Sequence, residues 1–235
     1  ENWVLHLSNR KVGISTFGCA YNEGDSAYLK KILEYHHCTI TTNPEDADVI
    51  ILNTCIVIDK TERKMIRFIK QYAGKELWIT GCLPLARPEI LLKFPGVGII
   101  YPDSIHQAGK KIPITWEGPV KVVQVGPGCM GSCSYCITRC ARGRIRSIPS
   151  GEIIDQIAAC TKGGAVEIRL AGQDLSSYGM DTGQESLGSL FQNIPWMSET
   201  CRIRPGMMNP ATLLPIAQDV AQAMKKGPFF SFLHI

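Results

Sequence analysis

Val120-Lys121-Val122-Val123-Gln124-Val125-Gly126-Pro127-Gly128-Cys129-Met130-Gly131-Ser132-Cys133-Ser134-Tyr135-Cys136 is the stretch on which the reading of the fold turns. Its first six residues are β-branched or apolar with one exception on each face, and read as a strand closed by Gly126-Pro127-Gly128. Three cysteines follow, with three and then two residues between them, on a tight loop of small residues. Such spacing lets the thiolates of Cys129, Cys133 and Cys136 point at a single centre. Thiolates suit zinc or iron-sulfur clusters, but a closed structural zinc takes four ligands. Three ligands leave one metal with an open position, which in a 4Fe-4S cluster is where a cofactor or substrate coordinates. The arrangement therefore reads as catalytic. Cys140 offers a rival, since a fourth thiolate would complete a zinc or ferredoxin-type site. Unliganded core cysteines would follow strand or helix periodicity, and these do not.

Downstream of the loop the same strand and helix unit recurs. A helix is expected from Ser150 to Thr161, a strand from Val166 to Ala171, a helix over Glu185 to Gln192, and a strand near Cys201 to Arg204. A helix from Ala211 to Met224 then leads, through Gly227-Pro228, to a strand from Phe229 to Leu233. Parallel units of this kind curl into part of a TIM-like (β/α) barrel, here ending on its fourth strand and leaving an edge that native proteins usually cover. The chain accordingly reads as a fragment.

Upstream, short apolar runs alternate with helical patterns, the mark of an open parallel α/β sheet. Strands are expected at Val12 to Phe17, Asp48 to Asn53, Leu77 to Gly81 and Gly96 to Ile100, and helices at Asp25 to Tyr35 and Lys60 to Tyr72. Cys19, Cys55 and Cys82 each lie just past one of these strands. The carboxyl ends of parallel strands form the ligand crevice of such sheets, so the three thiols could meet there. Three separate buried cysteines is the rival reading, and spacing does not separate the two. The stretch from Tyr101 to Pro119, with three prolines and no sustained periodicity, reads as a linker. The expected organisation is an N-terminal domain over 1–105, a linker over 106–119 and a second domain over 120–235.

Ten cysteines in 235 residues would be unusual as disulfides under reducing conditions, which leaves metal binding, catalysis or burial to explain them. A net charge of +4 permits an acidic partner without requiring one. No apolar run nears the roughly 20 residues that span a bilayer, and the first ten residues lack an export signal, so the expectation is a cytoplasmic protein with no membrane partner.

The C-x3-C-x2-C loop, with an aromatic residue before its last cysteine and a strand before it, resembles the radical S-adenosylmethionine superfamily. Further residues narrow the likeness: Gly18-Cys19, Asn22 and Asp25-Ser26; Ala47 to Cys55; Gly81-Cys82; Arg142-Gly143 and Arg146-Ser147; Glu167 to Asp174; Tyr178-Gly179; and Arg202-Ile203-Arg204. Together they are similar to the methylthiotransferases, from Lys11 to Ile235. That resemblance implies an N-terminal methylthiotransferase domain followed by an incomplete radical-SAM barrel, with the family's small C-terminal RNA-binding domain absent. It also implies two 4Fe-4S clusters, one on Cys129, Cys133 and Cys136 and an auxiliary one on Cys19, Cys55 and Cys82, with the two facing each other across the domains. S-adenosyl-L-methionine would chelate the open iron and be split to a 5′-deoxyadenosyl radical.

By the same resemblance Tyr135 would lie near the adenine, Gly172 and Gln173 near the cofactor's amino acid part, and Arg204 would pair with a carboxylate. For Gln173 the alternative is orienting the loop, and for Arg204 a solvated charge. Arg139, Arg142, Arg144 and Arg146 are candidate contacts for RNA phosphates, or ordinary surface charges. Gly206-Met207-Met208-Asn209-Pro210 is most similar to the archaeal and eukaryotic branch that inserts a methylthio group at C2 of N6-threonylcarbamoyladenosine 37 in tRNA. The implied partners are the tRNA anticodon loop, a reducing electron donor and a sulfur donor. The alternatives are action on isopentenyladenosine 37 or on a ribosomal-protein aspartate, a one-cluster radical enzyme with different chemistry, or a non-catalytic zinc or RNA-binding module. Cys38, Cys160 and Cys201 read as core residues.

Overall fold

The computed structural model of the chain describes residues 2–57, 59–110, 112, 116 and 118–235. They divide into two compact units, one of Glu1–Ile114 with Tyr135–Ala141 and one of Thr115–Ser134 with Arg142–Ile235.

The first unit is built on a five-stranded sheet in the order β2-β1-β3-β4-β5, with β1 at Lys11–Thr16, β2 at Thr39–Thr41, β3 at Val49–Thr54, β4 at Glu76–Gly81 and β5 at Gly98–Ile99. All neighbours run parallel. Every residue of β3 is buried, and its apolar run Val49 to Leu52 is what a strand covered by helices on both faces calls for. On one face Ile50 and Leu52 pack with Met65, Ile69 and Tyr72 around helix α3, Asp59–Gln71. On the other, Val49 and Ile51 pack with Leu29, Ile32 and Leu33 of helix α2, Ala20–Tyr35, and with Trp3, Val4 and Leu7 of helix α1, Asn2–Leu7. Short helices α4, Leu83–Ala86, and α5, Pro88–Leu91, follow β4. Helix α6, Pro102–Gly109, sends Ile105 and Ala108 into the second core.

Among the elements that escape the periodicity are β2, α1 and α6. β2 alternates threonines around a single isoleucine and is held by its pairing with Lys11 to Gly13. α1 has six residues, too few to show a period. α6 begins on Pro102, a residue that breaks a helix interior; at the first helical position a missing N–H costs nothing. Residues 106–109 of the expected linker are therefore helical, and its residues 111, 113–115 and 117 lie outside the described ones.

The second unit carries a parallel sheet in the order β6-β7-β8, with β6 at Val120–Gln124, β7 at Glu167–Ala171 and β8 at Arg202–Pro205. Helix α7, Thr138–Arg142, ends the cysteine loop and belongs through Ala141 to the first unit, and α8, Ser150–Lys162, returns the chain to β7. Helix α9, Leu187–Asn193, starts with a reciprocal cap between Ser186 and Ser189. The expected single helix from Ala211 to Met224 is instead α10, Pro210–Leu213, a 3-10 turn at Leu214–Ile216, and α11, Ala217–Lys226. Pro215 supplies the break, because it has no N–H to continue the ladder. Phe229 to Leu233 does not form the fourth strand that was expected. It touches the sheet only at the bridges Ile203↔Phe229 and Met207↔His234. The Phe232 N–H donates to the Phe230 carbonyl at 2.8 Å, a tight turn that withdraws the amide from a ladder.

Candidate metal centres

Register places the first three cysteines. β1, β3 and β4 are adjacent, Thr16 pairs with Asn53 and Thr54 with Gly81, so Cys55 and Cys82 leave the sheet at one level and Cys19 leaves three residues past β1. All three stand at the carboxyl ends of neighbouring strands. Cys55 and Cys82 are buried and Cys19 is exposed.

A buried polar network ties these strand ends together. Asn22 donates from Nδ2 to the carbonyls of Thr54 at 2.7 Å and Phe17 at 3.1 Å, and to Asn53 Oδ1 at 3.2 Å. Asn53 answers from Nδ2 to the Asn22 carbonyl at 2.8 Å and Ser26 Oγ at 2.9 Å. The Cys82 N–H donates to the Thr54 carbonyl at 2.9 Å, and the Leu83 N–H to Thr54 Oγ1 at 3.0 Å. Gly18, with φ +126°, admits the close packing of Cys55: a β-carbon there would lie 2.7 Å from Cys55 Cβ and 3.2 Å from its Sγ.

In the second unit the loop after β6 is held by its own backbone. Arg146 donates to the Pro127 carbonyl at 3.0 Å, Ile148 to that of Val125 at 2.9 Å, and Cys129 to that of Gly143 at 3.3 Å. Gly128, with φ +88°, passes so close to the Arg144 carbonyl that a β-carbon would sit 2.1 Å from it. Tyr178 and its neighbours fix the returning segment: the Tyr178 hydroxyl shares its one proton between the Ile148 carbonyl at 2.8 Å and Glu185 Oε2 at 2.7 Å, and Ser147 donates to Asp181 from N and Oγ at 2.9 and 2.6 Å. Burial first, and the Glu185 carboxylate second, push the Tyr178 hydroxyl well above its ordinary range.

Cys129 and Cys133 flank Gly131. A β-carbon on Gly131 would lie 3.2 Å from Cys129 Sγ, 3.7 Å from Asn209 Nδ2 and 3.9 Å from Cys133 Sγ, while the Gly131 N–H donates to Cys129 Sγ at 3.1 Å. Cys136 and Tyr135 fall in the Tyr135–Ala141 segment of the first unit, with Tyr135 89% exposed. Among the described residues, no three His, Cys, Asp or Glu side chains stand close enough to hold a metal ion as they are oriented.

Gln173 Oε1 accepts the Gly128 N–H at 2.7 Å, which makes it a clamp on the loop. Gly172 is tight, with a β-carbon position 3.2 Å from Leu175 Cδ1 and 3.3 Å from Val125 Cγ2. The carboxylate that Arg204 meets here is Glu167 of its own chain, from Nε at 2.9 Å, and its guanidinium carbon lies 4.7 Å from the Phe230 ring centre. Hydrogen bonds from Arg169, then Arg204, hold the Glu167 carboxyl below its usual range. Of the four loop arginines, Arg142 is buried, which removes it as a surface contact; Arg144 and Arg146 are exposed and Arg139 half-buried.

The largest omission from the sequence reading is Asp174. Almost wholly buried, its Oδ1 accepts from the N–H groups of Ser176 at 3.1 Å and Asn209 at 3.0 Å and from Ser176 Oγ at 2.5 Å, and its Oδ2 accepts from Thr212 Oγ1 at 2.8 Å. Its acidity beside Gly172-Gln173 was the only signal.

Residues 11–101 match the family model described as "Uncharacterized protein family UPF0004". The chain is 35% identical to a "Probable threonylcarbamoyladenosine tRNA methylthiotransferase" of Methanothermobacter thermautotrophicus, over 96% of this chain and 59% of that protein. A protein of the same name from Archaeoglobus fulgidus is 32% identical, with 96% and 58% covered. The human "Threonylcarbamoyladenosine tRNA methylthiotransferase" is 28% identical, with 96% and 44% covered. The chain thus spans about three fifths of the length of the archaeal relatives. In fold it is similar to the radical S-adenosylmethionine methyltransferase TsrM of Kitasatospora setae, solved with cobalamin and a 4Fe-4S cluster, at TM-score 0.58 and 10% identity, over 94% of this chain and 59% of that one. These relatives bear out the resemblance read from the motifs, and the solved structure bears out an N-terminal α/β unit followed by a partial radical-SAM fold. Among the described residues no helix is long and apolar enough to cross a membrane.

Proposed function

We propose that this chain is the catalytic part of a radical-SAM methylthiotransferase that places a methylthio group at C2 of N6-threonylcarbamoyladenosine 37 in the anticodon loop of tRNA. The observation that carries this reading is the cysteine loop after β6, where Cys129 Sγ and Cys133 Sγ lie 3.2 and 3.9 Å from the position that a β-carbon on Gly131 would take. Thiol donors gathered on one loop and a backbone N–H already on Cys129 Sγ suit a thiolate-bound 4Fe-4S cluster. Cys129, Cys133 and Cys136 would hold it, each thiol turning onto the metal about its one side-chain torsion. Such a cluster, once reduced by an external donor and with S-adenosyl-L-methionine bound, would supply one electron for reductive cleavage of the sulfonium to a 5′-deoxyadenosyl radical, with methionine as the other product.

The chain's own residues do the rest. Gln173 keeps the loop in register through Gly128, and the exposed Tyr135 ring offers a packing surface for the cofactor's adenine. Gly172 lets the cofactor's amino acid part approach the end of β7. Arg204, if it leaves Glu167, offers a planar fork to a carboxylate. Cys19, Cys55 and Cys82, brought to three adjacent strand ends, are assigned to a second 4Fe-4S cluster that carries the inserted sulfur. An electron donor and a sulfur donor complete the set of partners, and the cytoplasm is where tRNA is met. The choice of threonylcarbamoyladenosine over isopentenyladenosine rests on the names of the relatives and on Gly206-Met207-Met208-Asn209-Pro210.

Anaerobic reconstitution with iron and sulfide tests it. The expected result is about eight irons per chain, falling to about four when Cys19, Cys55 and Cys82 are replaced by alanine. With a reductant and S-adenosyl-L-methionine the chain should release 5′-deoxyadenosine, and mass spectrometry of tRNA from cells lacking the gene should show the unmodified threonylcarbamoyl nucleoside. Zinc without a brown chromophore would overturn the proposal in favour of a binding module.

A further inference from the structure

We propose that a cleft of the first unit, beside β5, is a binding site for an unpaired nucleobase, carried by a free nucleotide or by a single strand of RNA. It is separate from the cysteine centres and stands whether or not they hold clusters.

The cleft measures about 360 Å³, within the roughly 300–1,000 Å³ of small-molecule sites. Four rings line it: Trp3 and His6 from α1, Trp78 from β4, and Tyr101 from the residue before α6, together with Asn2 and Ser104. Glu76, which anchors two of these rings, opens β4, whereas Cys82 follows the other end of that strand.

Hydrogen bonds hold the rings in place. The Trp3 side-chain N–H donates to Ser104 Oγ at 3.1 Å, and Ser104 Oγ donates to the Tyr101 carbonyl at 2.7 Å. The Trp78 side-chain N–H donates to Glu76 Oε1 at 2.8 Å, and His6 Nε2 donates to the same oxygen at 2.7 Å. The Trp78 indole lies against the edge strand because residue 98 is glycine: a β-carbon there would fall 2.4 Å from its Cδ2. His6 stands beside that indole, ring centres 5.4 Å apart. Tyr101 and the His6 side chain are both about half exposed, so apolar ring surface stays in water.

The chemistry around the rings selects among the ligands that aromatic walls suit. A cation is disfavoured, because the Glu76 carboxylate already accepts from three donors, two of them the basic side chains of Arg10 and His6. A peptide strand finds little to pair with, since β5, at the edge of the sheet, has two residues. A flat, uncharged heteroaromatic ring gains by stacking on indole and phenol faces, and the Asn2 amide brings both a donor and an acceptor for its edge. Arg10, joined to His6 through Glu76, supplies positive charge for the phosphate that accompanies such a base.

The test is calorimetric titration of the chain with adenosine 5′-monophosphate and with a short oligoadenylate, in the parent, Tyr101→Ala and Tyr101→Phe. Both probes should bind the parent. Tyr101→Ala should weaken them about fivefold or more, the lower end of what one base–ring stack contributes, and Tyr101→Phe, which keeps the ring, should change them little. Should Tyr101→Ala not fold, His6→Ala, at another half-exposed ring, is expected to weaken binding in the same way. Tighter binding of the oligoadenylate assigns the cleft to single-stranded RNA, and equal affinities assign it to a free nucleotide. The inference is overturned if neither probe binds, or if loss of the ring leaves affinity unchanged. Ribose 5-phosphate binding as tightly as the nucleotide would also overturn it, and N-acetyltryptophanamide doing so would give the cleft to a protein side chain instead. None of these results alters the iron content on which the methylthiotransferase reading is tested.

Discussion

Asn22 Nδ2 donates to the carbonyl oxygen of Thr54 at 2.7 Å, so that the turn of helix following Cys19 is fastened to the last residue of the strand that delivers Cys55. The same nitrogen reaches Phe17 O and Asn53 Oδ1, which makes one buried amide the knot of three chain segments. Replacing Asn22 by alanine leaves the buried carbonyls of Phe17 and Thr54 without this donor. The expected cost is about 2–4 kcal/mol in urea unfolding. Iron uptake at Cys19, Cys55 and Cys82 should fall with it, while uptake at Cys129, Cys133 and Cys136 stays.

Gly131→Ala separates cluster binding from folding. The Gly131 backbone does not require glycine, but the new methyl would stand 3.2 Å from Cys129 Sγ and hinder the thiol from turning onto a metal. Iron content of the reconstituted variant should drop by about half, from roughly eight to roughly four per chain, with the unfolding free energy within about 1 kcal/mol of the parent. Full iron loading would refute the assignment of a cluster to the Cys129 loop.

Asp174→Ala removes the acceptor shared by Ser176, Asn209 and Thr212. Stranding these donors in a buried site should cost about 2–4 kcal/mol by denaturant titration. Asp174→Asn, which keeps one acceptor oxygen, should cost less.

Acid stability should depend on Glu76. Burial alone would raise its carboxyl, but hydrogen bonds from Trp78 Nε1, Arg10 and His6 outweigh it and bring the group from 4.5 down to about 2. A carboxyl with a depressed folded value adds stability above pH 4.5, and that stability is lost as the pH falls toward 2. The side chain is 32% exposed, so solvent screening limits the effect to roughly 1–2 kcal/mol. Thermal unfolding measured from pH 6 to pH 2.5 should show this loss in the parent and a flatter profile in Glu76→Gln.

The sequence by itself determined what is local or repeated. Cysteine spacing marked the loop at Cys129, the apolar runs marked β1, β3, β4 and β6 to β8, and a cysteine just past each of three strands marked the crevice in the first unit, because side-chain chemistry and period are written in neighbouring residues. It did not contain β2, whose threonines form a strand only against β1, nor α6, whose leading proline reads equally as a stop. Arg204 shows the same limit, since the carboxylate it meets is Glu167, 37 positions away. Tertiary structure alone decided how the buried polar side chains are partnered. Asn22 and Asp174 bond to partners about 31 to 38 residues distant, and a hydrogen bond of that span depends on strand order and register, which no local pattern encodes.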